Sequence, residues 1–183
     1  NMDVQKIVLL DRDGVINEDS DDYIKSPLEW EPIPGSLEAI GLLAQRGFGV
    51  VVITNQSGVA RGLFSLDVLG QIHAKMQRAI EAHGGRLEGI YYCPHGPEDF
   101  CECRKPKPGM FNQAAKDLGL NLAGIPAVGD SYRDLEAARS AGASPMLVQT
   151  GKGMRTLARY PDPNAPVFSN LYEAVQHILL GQI

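Results

Sequence analysis

Short apolar runs punctuate the chain, and each ends in a cluster of polar residues. Ile7-Val8-Leu9-Leu10 stops at Asp11-Arg12-Asp13-Gly14, and Val50-Val51-Val52-Ile53 stops at Thr54-Asn55-Gln56-Ser57-Gly58. Ile125-Pro126-Ala127-Val128-Gly129 stops at Asp130, and the segment from Met146 to Thr150 leads into a Gly151-Lys152-Gly153 turn. A shorter segment, Gly89-Ile90-Tyr91-Tyr92, runs into Cys93. Runs of this length, β-branched and without alternation, predict parallel strands buried on both faces.

Between these strands the apolar positions recur at helical spacing. Leu37, Ile40 and Leu43 mark a helix that Ser36 would cap and Gly47 would end. Leu69, Ile72, Met76 and Ile80 mark another from Ser65 to His83, with His73 and His83 read as ordinary residues of its surface. Pro108-Gly109 opens a helix through Phe111, Ala114, Ala115 and Leu118, and a further one runs from Arg133 to Ala141. Asn170 with Glu173 resembles a capping box for the last helix, which carries Ala174, Val175, Ile178 and Leu179. Residues 18 to 33, acidic around Trp30, make a loop long enough to fold over a site, and the proline-rich residues 160 to 166 make another. Strands alternating with helices predict an α/β fold with a doubly wound, Rossmann-like parallel sheet. One domain over residues 2–183 is expected, without internal repeat or linker.

Composition narrows the partners. At 183 residues, 44% apolar and 21% charged, the chain suits one soluble globular domain. A net charge of -5 argues against sequence-independent nucleic-acid binding, and no apolar run is long enough to span a bilayer. No signal peptide is legible at the start, where Asn1 before Met2 reads as an addition to the native beginning. All three cysteines, Cys93, Cys101 and Cys103, lie in one short segment, which fits a metal site in a reducing, cytoplasmic setting. A monomer is the default expectation.

In an open parallel sheet the carboxyl ends of the strands share the edge where ligands bind. Asp11, Asp13, Thr54, Asn55, Asp130 and Asp134 would meet there with the basic run Arg104-Lys105-Pro106-Lys107-Pro108-Gly109. Asp-x-Asp-Gly alone reads equally as an acidic loop, but the assembled set suits phosphoryl transfer. Crowded carboxylates need a hard cation, and oxygen-only ligation selects Mg²⁺. Asp11 could then attack phosphorus to form an aspartyl-phosphate, while Asp13 protonates the leaving oxygen and later takes a proton from water. Thr54 and Lys105 would hold the phosphoryl oxygens. Asp130 would complete the metal shell; Asp134 reads equally as a carboxylate orienting that shell and as a helix cap.

Cys93-Pro94-His95 and Cys101-Glu102-Cys103 present three thiols and an imidazole within eleven residues. That donor set suits a closed, structural Zn²⁺ site; the alternative is three buried thiols and a stray His95, in a segment with little apolar material to bury them. Arg104 and Lys105 follow the last of these ligands directly, so a pinned loop would aim both at the crevice. Arg104 suits bidentate recognition of a second phosphate or a carboxylate.

Asp11-x-Asp13-Gly14, Thr54-Asn55, Lys105 and Gly129-Asp130-x-x-x-Asp134, in this order, resemble the four motifs of the haloacid dehalogenase superfamily of phosphatases. The resemblance implies that Asp11 is the nucleophile and Asp13 the general acid and base, that Thr54 and Lys105 contact the phosphoryl group, and that Asp11, the Asp13 carbonyl and Asp130 bind Mg²⁺. Asp-Arg-Asp-Gly, Thr-Asn-Gln-Ser-Gly-Val-Ala-Arg-Gly, Tyr-Tyr-Cys-Pro-His and Cys-x-Cys-Arg-Lys-Pro-x-Pro-Gly-Met resemble, more narrowly, the heptose bisphosphate 7-phosphatases. These are similar in turn to the histidinol-phosphate phosphatases, which share the zinc loop; the span between the halves of the zinc motif is short here. Implied are a small-molecule sugar bisphosphate substrate, a role in making nucleotide-activated heptose for the lipopolysaccharide core, and a site without a large cap domain. Implied too are substrate-facing Asp19, Asp22, Tyr23, Asn55, Gln56, Ser57, Arg104 and Ser131, although the loop acids and turn formers among them need no ligand to explain them. The rival readings are a histidinol-phosphate phosphatase and a catalytically silent, zinc-stabilised binding protein. The presence together of Asp11, Asp13, Lys105 and Asp130 argues against the silent one.

Overall fold

A computed structural model describes residues 6–181; the expected domain limits at 2 and 183 lie outside them. The strands are β1 (Ile7–Leu10), β2 (Gly49–Asn55), β3 (Leu87–Cys93), β4 (Pro126–Gly129), β5 (Ser144–Val148) and β6 (Val167–Phe168). They form one parallel sheet in the order β3-β2-β1-β4-β5-β6. Helices α1 (Ser36–Gln45), α2 (Leu66–Ala82), α3 (Gly109–Leu118), α4 (Tyr132–Ala141), α5 (Gly153–Arg159) and α6 (Leu171–Leu180) connect or follow the strands. The expected doubly wound α/β architecture is present, with a packed core on each face of the sheet.

The unbroken apolar runs have a simple cause. Along β1, Val8 and Leu10 point into the core shared with α1, α2 and α6, while Ile7 and Leu9 point into the core shared with α3 and α4. Side chains alternate between faces, but both faces are buried, so no polar alternation survives in the sequence. Val50 and Val52 face the first core and Val51 and Ile53 the second, in register with β1.

The chain winds from β1 outward through β2 to β3, then crosses back to place β4 on the other side of β1. Winding reverses between β1 and β4, and a crevice opens at the carboxyl ends of strands where it does so. Four of the predicted polar clusters lie on this edge.

Four local expectations are corrected. Ser36 does not cap α1: Gly35 does, at φ 89°, and the buried Ser36 hydroxyl donates instead to the Val15 carbonyl at 2.7 Å. The residues after β5 form not only a turn but α5, and β6 follows the proline-rich loop. His73 is not a surface residue of α2 but is 6% exposed, whereas His83 is exposed as expected. The box at α6 is shifted by one residue: Asn170 accepts from the Glu173 N–H, while Glu173 accepts from the N–H of Ser169.

Candidate active site

Asp11 sits one residue beyond β1, its N–H still donating to Val128 O at 3.0 Å, so the ladder with β4 aims its carboxylate out of the sheet. The chain then turns at Gly14, at φ 84°. A Cβ on Gly14 would lie 2.0 Å from an Asp130 carboxylate oxygen, and one on Gly151 would lie 2.4 Å from it. Two glycines therefore let the loops after β1 and β5 close on Asp130. The long loop over residues 18–33 is tied back by Glu18 N to Glu31 O and by Ile33 N to Ile16 O. Lys75 of α2 donates to the carbonyls of Pro27 and Trp30, fixing that loop against the body.

Lys105 is 2% exposed, and its ammonium donates to Asp134 at 2.8 Å and to Ile53 O at 2.6 Å, with Asp11 at 3.3 Å. Burial alone would push its pKa down; the carboxylates of Asp11 and Asp134 outweigh this and hold it at about 12. Asn55 clamps the Lys105 backbone from the end of β2, donating to its carbonyl at 3.2 Å and accepting from its N–H at 3.0 Å. Thr54 is buried and accepts from Gln56 at 2.9 Å.

Asp134 closes a capping box at α4: Ser131 Oγ accepts from the Asp134 N–H, and Asp134 accepts from the N–H groups of Asp130 and Ser131. The helix-cap reading of this residue holds, and its other oxygen takes the Lys105 ammonium. Asp11, Asp130 and Asp134 offer carboxylate oxygens that all lie within 4.8 Å of one another. Burial, and then the charge of Asp134, push Asp11 well up and Asp130 to about 7. Carboxylates held this close resist ionising together, which is the electrostatic setting a divalent cation relieves.

Asp13 behaves in the opposite way. Burial opposes its ionisation, but Arg12 outweighs that, aided by Asn17 and Gln56, and its pKa is lowered. Arg12 Nε and Asn17 Nδ2 each donate to its Oδ1 at 2.9 Å, and Gln56 reaches Oδ2 at 3.3 Å.

These groups line a cavity of about 370 Å³ at the strand edge. Of the residues expected to face a substrate, Asp19, Tyr23, Asn55, Gln56, Ser57, Arg104 and Ser131 line it. Asp22 does not; it lies exposed, its carbonyl taking Lys25, and its neighbour Asp21 lines the cavity instead. Sequence reasoning overlooked Arg61, Arg133 and Lys152, which also line it, and buried Arg12. The signal for Arg133 was its place three residues past a strand-ending aspartate, at the start of a helix; Lys152, whose ammonium pairs with Asp19, was hidden in what looked like a turn.

Beside the cavity the ligand atoms of Cys93, His95, Cys101 and Cys103 all lie within 4.8 Å of one another. His95 Nδ1 is 3.5 Å from Cys93 Sγ and 3.4 Å from Cys103 Sγ. Burial pushes the Cys93 thiol up, while for Cys101 the Arg104 backbone N–H and the other thiols overcome burial and hold it down at about 6. The donor set and spacing are compatible with a four-coordinate zinc site. From there the chain runs straight into Arg104, which donates to His95 O at 3.3 Å.

Residues 102–174 match the HAD-hydrolase-like family, and residues 6–132 match polynucleotide kinase 3 phosphatase. The chain is 56% identical over 154 residues to the D-glycero-β-D-manno-heptose-1,7-bisphosphate 7-phosphatase of Bordetella bronchiseptica, covering 84% of this chain and 86% of that one. To the Pseudomonas aeruginosa protein of the same name it is 52% identical over 176 residues, covering 96% and 98%. Among solved structures, D,D-heptose 1,7-bisphosphate phosphatase from B. bronchiseptica complexed with magnesium and phosphate aligns with a TM-score of 0.92 at 51% identity, over 96% of this chain and 99% of that one. The Burkholderia thailandensis enzyme aligns with a TM-score of 0.75 at 42% identity, over 95% and 98%. The chain therefore belongs to the phosphatase family matched over residues 6–132, and its relatives place it among the D-glycero-β-D-manno-heptose-1,7-bisphosphate 7-phosphatases, which are phosphoric monoester hydrolases.

Proposed function

We propose that this chain hydrolyses the 7-phosphate of D-glycero-β-D-manno-heptose 1,7-bisphosphate, within the synthesis of nucleotide-activated heptose for lipopolysaccharide. The observation that carries this reading is a cluster of arginines in the same cavity as the catalytic carboxylates. Asp11, Asp13, Thr54 and Lys105 line it together with Arg61, Arg104 and Arg133, and those three guanidinium groups lie close enough to one another for Arg133 and Arg61 to act on Arg104. Among the described residues, none of those three guanidinium groups has a carboxylate within ion-pair distance. Burial, then the charges of Arg133 and Arg61, lower the pKa of Arg104, so the cluster favours a second anion. A sugar carrying two phosphates satisfies both groups.

Arg12 favours the Asp13 carboxylate, so the reaction starts from its minor protonated form: Asp11 attacks phosphorus, the bond to the C7 oxygen breaks, and Asp13 gives that oxygen its proton. Asp13 then takes a proton from water as the water oxygen attacks the aspartyl-phosphate, which releases phosphate and restores Asp11. Lys105 and Thr54 supply donors to the phosphoryl oxygens throughout. Asp11 and Asp130, whose oxygens crowd together, would with the Asp13 carbonyl hold Mg²⁺; the related Bordetella structure is complexed with magnesium and phosphate. The bound ion would neutralise these carboxylates and the phosphoryl oxygens. Cys93, His95, Cys101 and Cys103 would hold a structural Zn²⁺.

Histidinol phosphate is the rival substrate, but its ammonium would face the arginine cluster unfavourably. A comparison of kcat/KM for the two heptose bisphosphate anomers and histidinol phosphate tests the reading. The bisphosphates should be preferred by about a hundredfold or more, the scale of a lost charge-assisted contact together with a repulsive one. Preference for histidinol phosphate would overturn the assignment.

A further inference from the structure

Arg12 lies between the two aspartates that the proposed reaction uses, yet its side chain is wholly buried and does not line the cavity. Its Nε donates to Asp13 Oδ1 at 2.9 Å, and its Nη2 lies 2.8 Å from the same oxygen. On the far side, Nη1 lies 3.1 Å from Nε2 of His73, which α2 carries at 6% exposure. Arginine has only hydrogens to give, so Nε2 is the bare nitrogen of a neutral imidazole and the proton sits on Nδ1. Burial and then the Arg12 charge keep that imidazole neutral, with its pKa lowered to about 3. The Tyr92 ring packs beside it at 6.1 Å between centroids.

Two features distinguish this chain of contacts from ordinary core packing. Asp13 Oδ1 is saturated, with Arg12 and Asn17 Nδ2 around it, whereas Oδ2 meets only Gln56 at 3.3 Å. Oδ2 is thus the oxygen left to exchange a proton at the cavity. The guanidinium is also planar and rigid, so a hydrogen bond at Nη1 sets the plane in which Nε bonds Asp13 and Nη2, which makes no hydrogen bond of its own, lies against the same oxygen.

We infer that His73 is a positioning residue: by accepting from Arg12 it fixes the guanidinium plane, and through it the orientation of Asp13 toward the departing oxygen of the substrate. This rests on the acid role proposed above for Asp13.

The test compares two leaving groups, since a sugar alkoxide needs a proton to depart and a nitrophenolate does not. kcat/KM reports the steps up to the first departure, so heptose bisphosphate and 4-nitrophenyl phosphate are compared on the Mg²⁺-loaded enzyme. His73→Leu should lower kcat/KM for the heptose bisphosphate about tenfold more than for 4-nitrophenyl phosphate, part of the general-acid contribution. His73→Gln, whose amide oxygen can accept from Arg12, should recover most of the difference. His73→Met serves the same purpose if the leucine variant does not fold. Equal losses on both substrates in a folded variant, or no recovery with glutamine, would overturn the inference. Asp13→Asn is the control for the underlying reading: without a leaving-group bias in that variant, the acid role of Asp13 fails and this inference fails with it. A bias in Asp13→Asn but none in His73→Leu removes only the role of His73.

Discussion

Asp134 engages every direction its carboxylate offers: one oxygen takes Lys105, the other the N–H groups of Asp130 and Ser131. Asp134→Ala should therefore do two kinds of damage, destabilising the fold by about 2 kcal/mol through the lost cap and the buried ammonium, and lowering kcat as Lys105 loses its anchor. Denaturant unfolding and steady-state kinetics on one preparation would check both. The cap was legible in the sequence from the Asp130-x-x-x-Asp134 spacing, but the contact with Lys105 was not, because spacing does not say which way each carboxylate oxygen faces. His73 was misread for a different reason: it lies four residues after Leu69 and three before Met76, on the buried stripe of α2, but its polarity suggested the surface. Its folded pKa of about 3 lies below the usual histidine value, so the unfolded chain binds a proton between about pH 6.5 and 3 that the folded chain refuses. Stability from this group is intact above pH 6.5 and is lost as pH falls, by about 2 kcal/mol at pH 5. His73→Gln should then lose less of its melting temperature than wild type between pH 7 and pH 5, as calorimetry would read.

Among the elements, the strands that bury both faces were the legible ones, because β1, β2 and β4 write themselves as apolar runs and end at the residues that carry the chemistry. The two-residue strand β6 is too short to carry any pattern, and α5 begins in a Gly-Lys-Gly segment whose composition signals a turn. Ser36 was a plausible cap by type, but only the fold brings Val15 O within reach of its hydroxyl. The cysteine loop was legible from spacing alone, since four soft donors so close in sequence have few other uses. It follows β3, at the edge of the sheet, where Cys93 is buried and Cys101 and Cys103 pack partly against the core. The purified protein should carry about one zinc per chain by elemental analysis under reducing conditions. Stripping it with a chelator should lower the melting temperature and raise KM for the bisphosphate through Arg104; an unchanged KM would separate the loop from substrate binding.

At the scale of the whole molecule, a chain of net charge -5 brings Arg61, Arg104 and Arg133 close together in one cavity. That arrangement is invisible to composition and only partly visible to sequence, because Arg61, Arg104 and Arg133 come from three separate segments. Arg104→Ala should reduce kcat/KM for the bisphosphate about tenfold or more, while a monophosphate ester loses far less. The dependence of that kcat/KM on salt should flatten in the same variant, since one charge of the attracting cluster is gone. The central claim is that the Asp11 group takes the 7-phosphate while the arginine cluster holds the other. Phosphorus NMR of heptose 1,7-bisphosphate incubated with the Mg²⁺-loaded enzyme tests it directly. The 7-phosphate signal should give way to inorganic phosphate with the 1-phosphate intact, and Asp11→Asn should slow this by about 10⁴-fold or more while still folding. Loss of the 1-phosphate signal first, or turnover by the Asp11→Asn variant at a rate near wild type, would contradict the account.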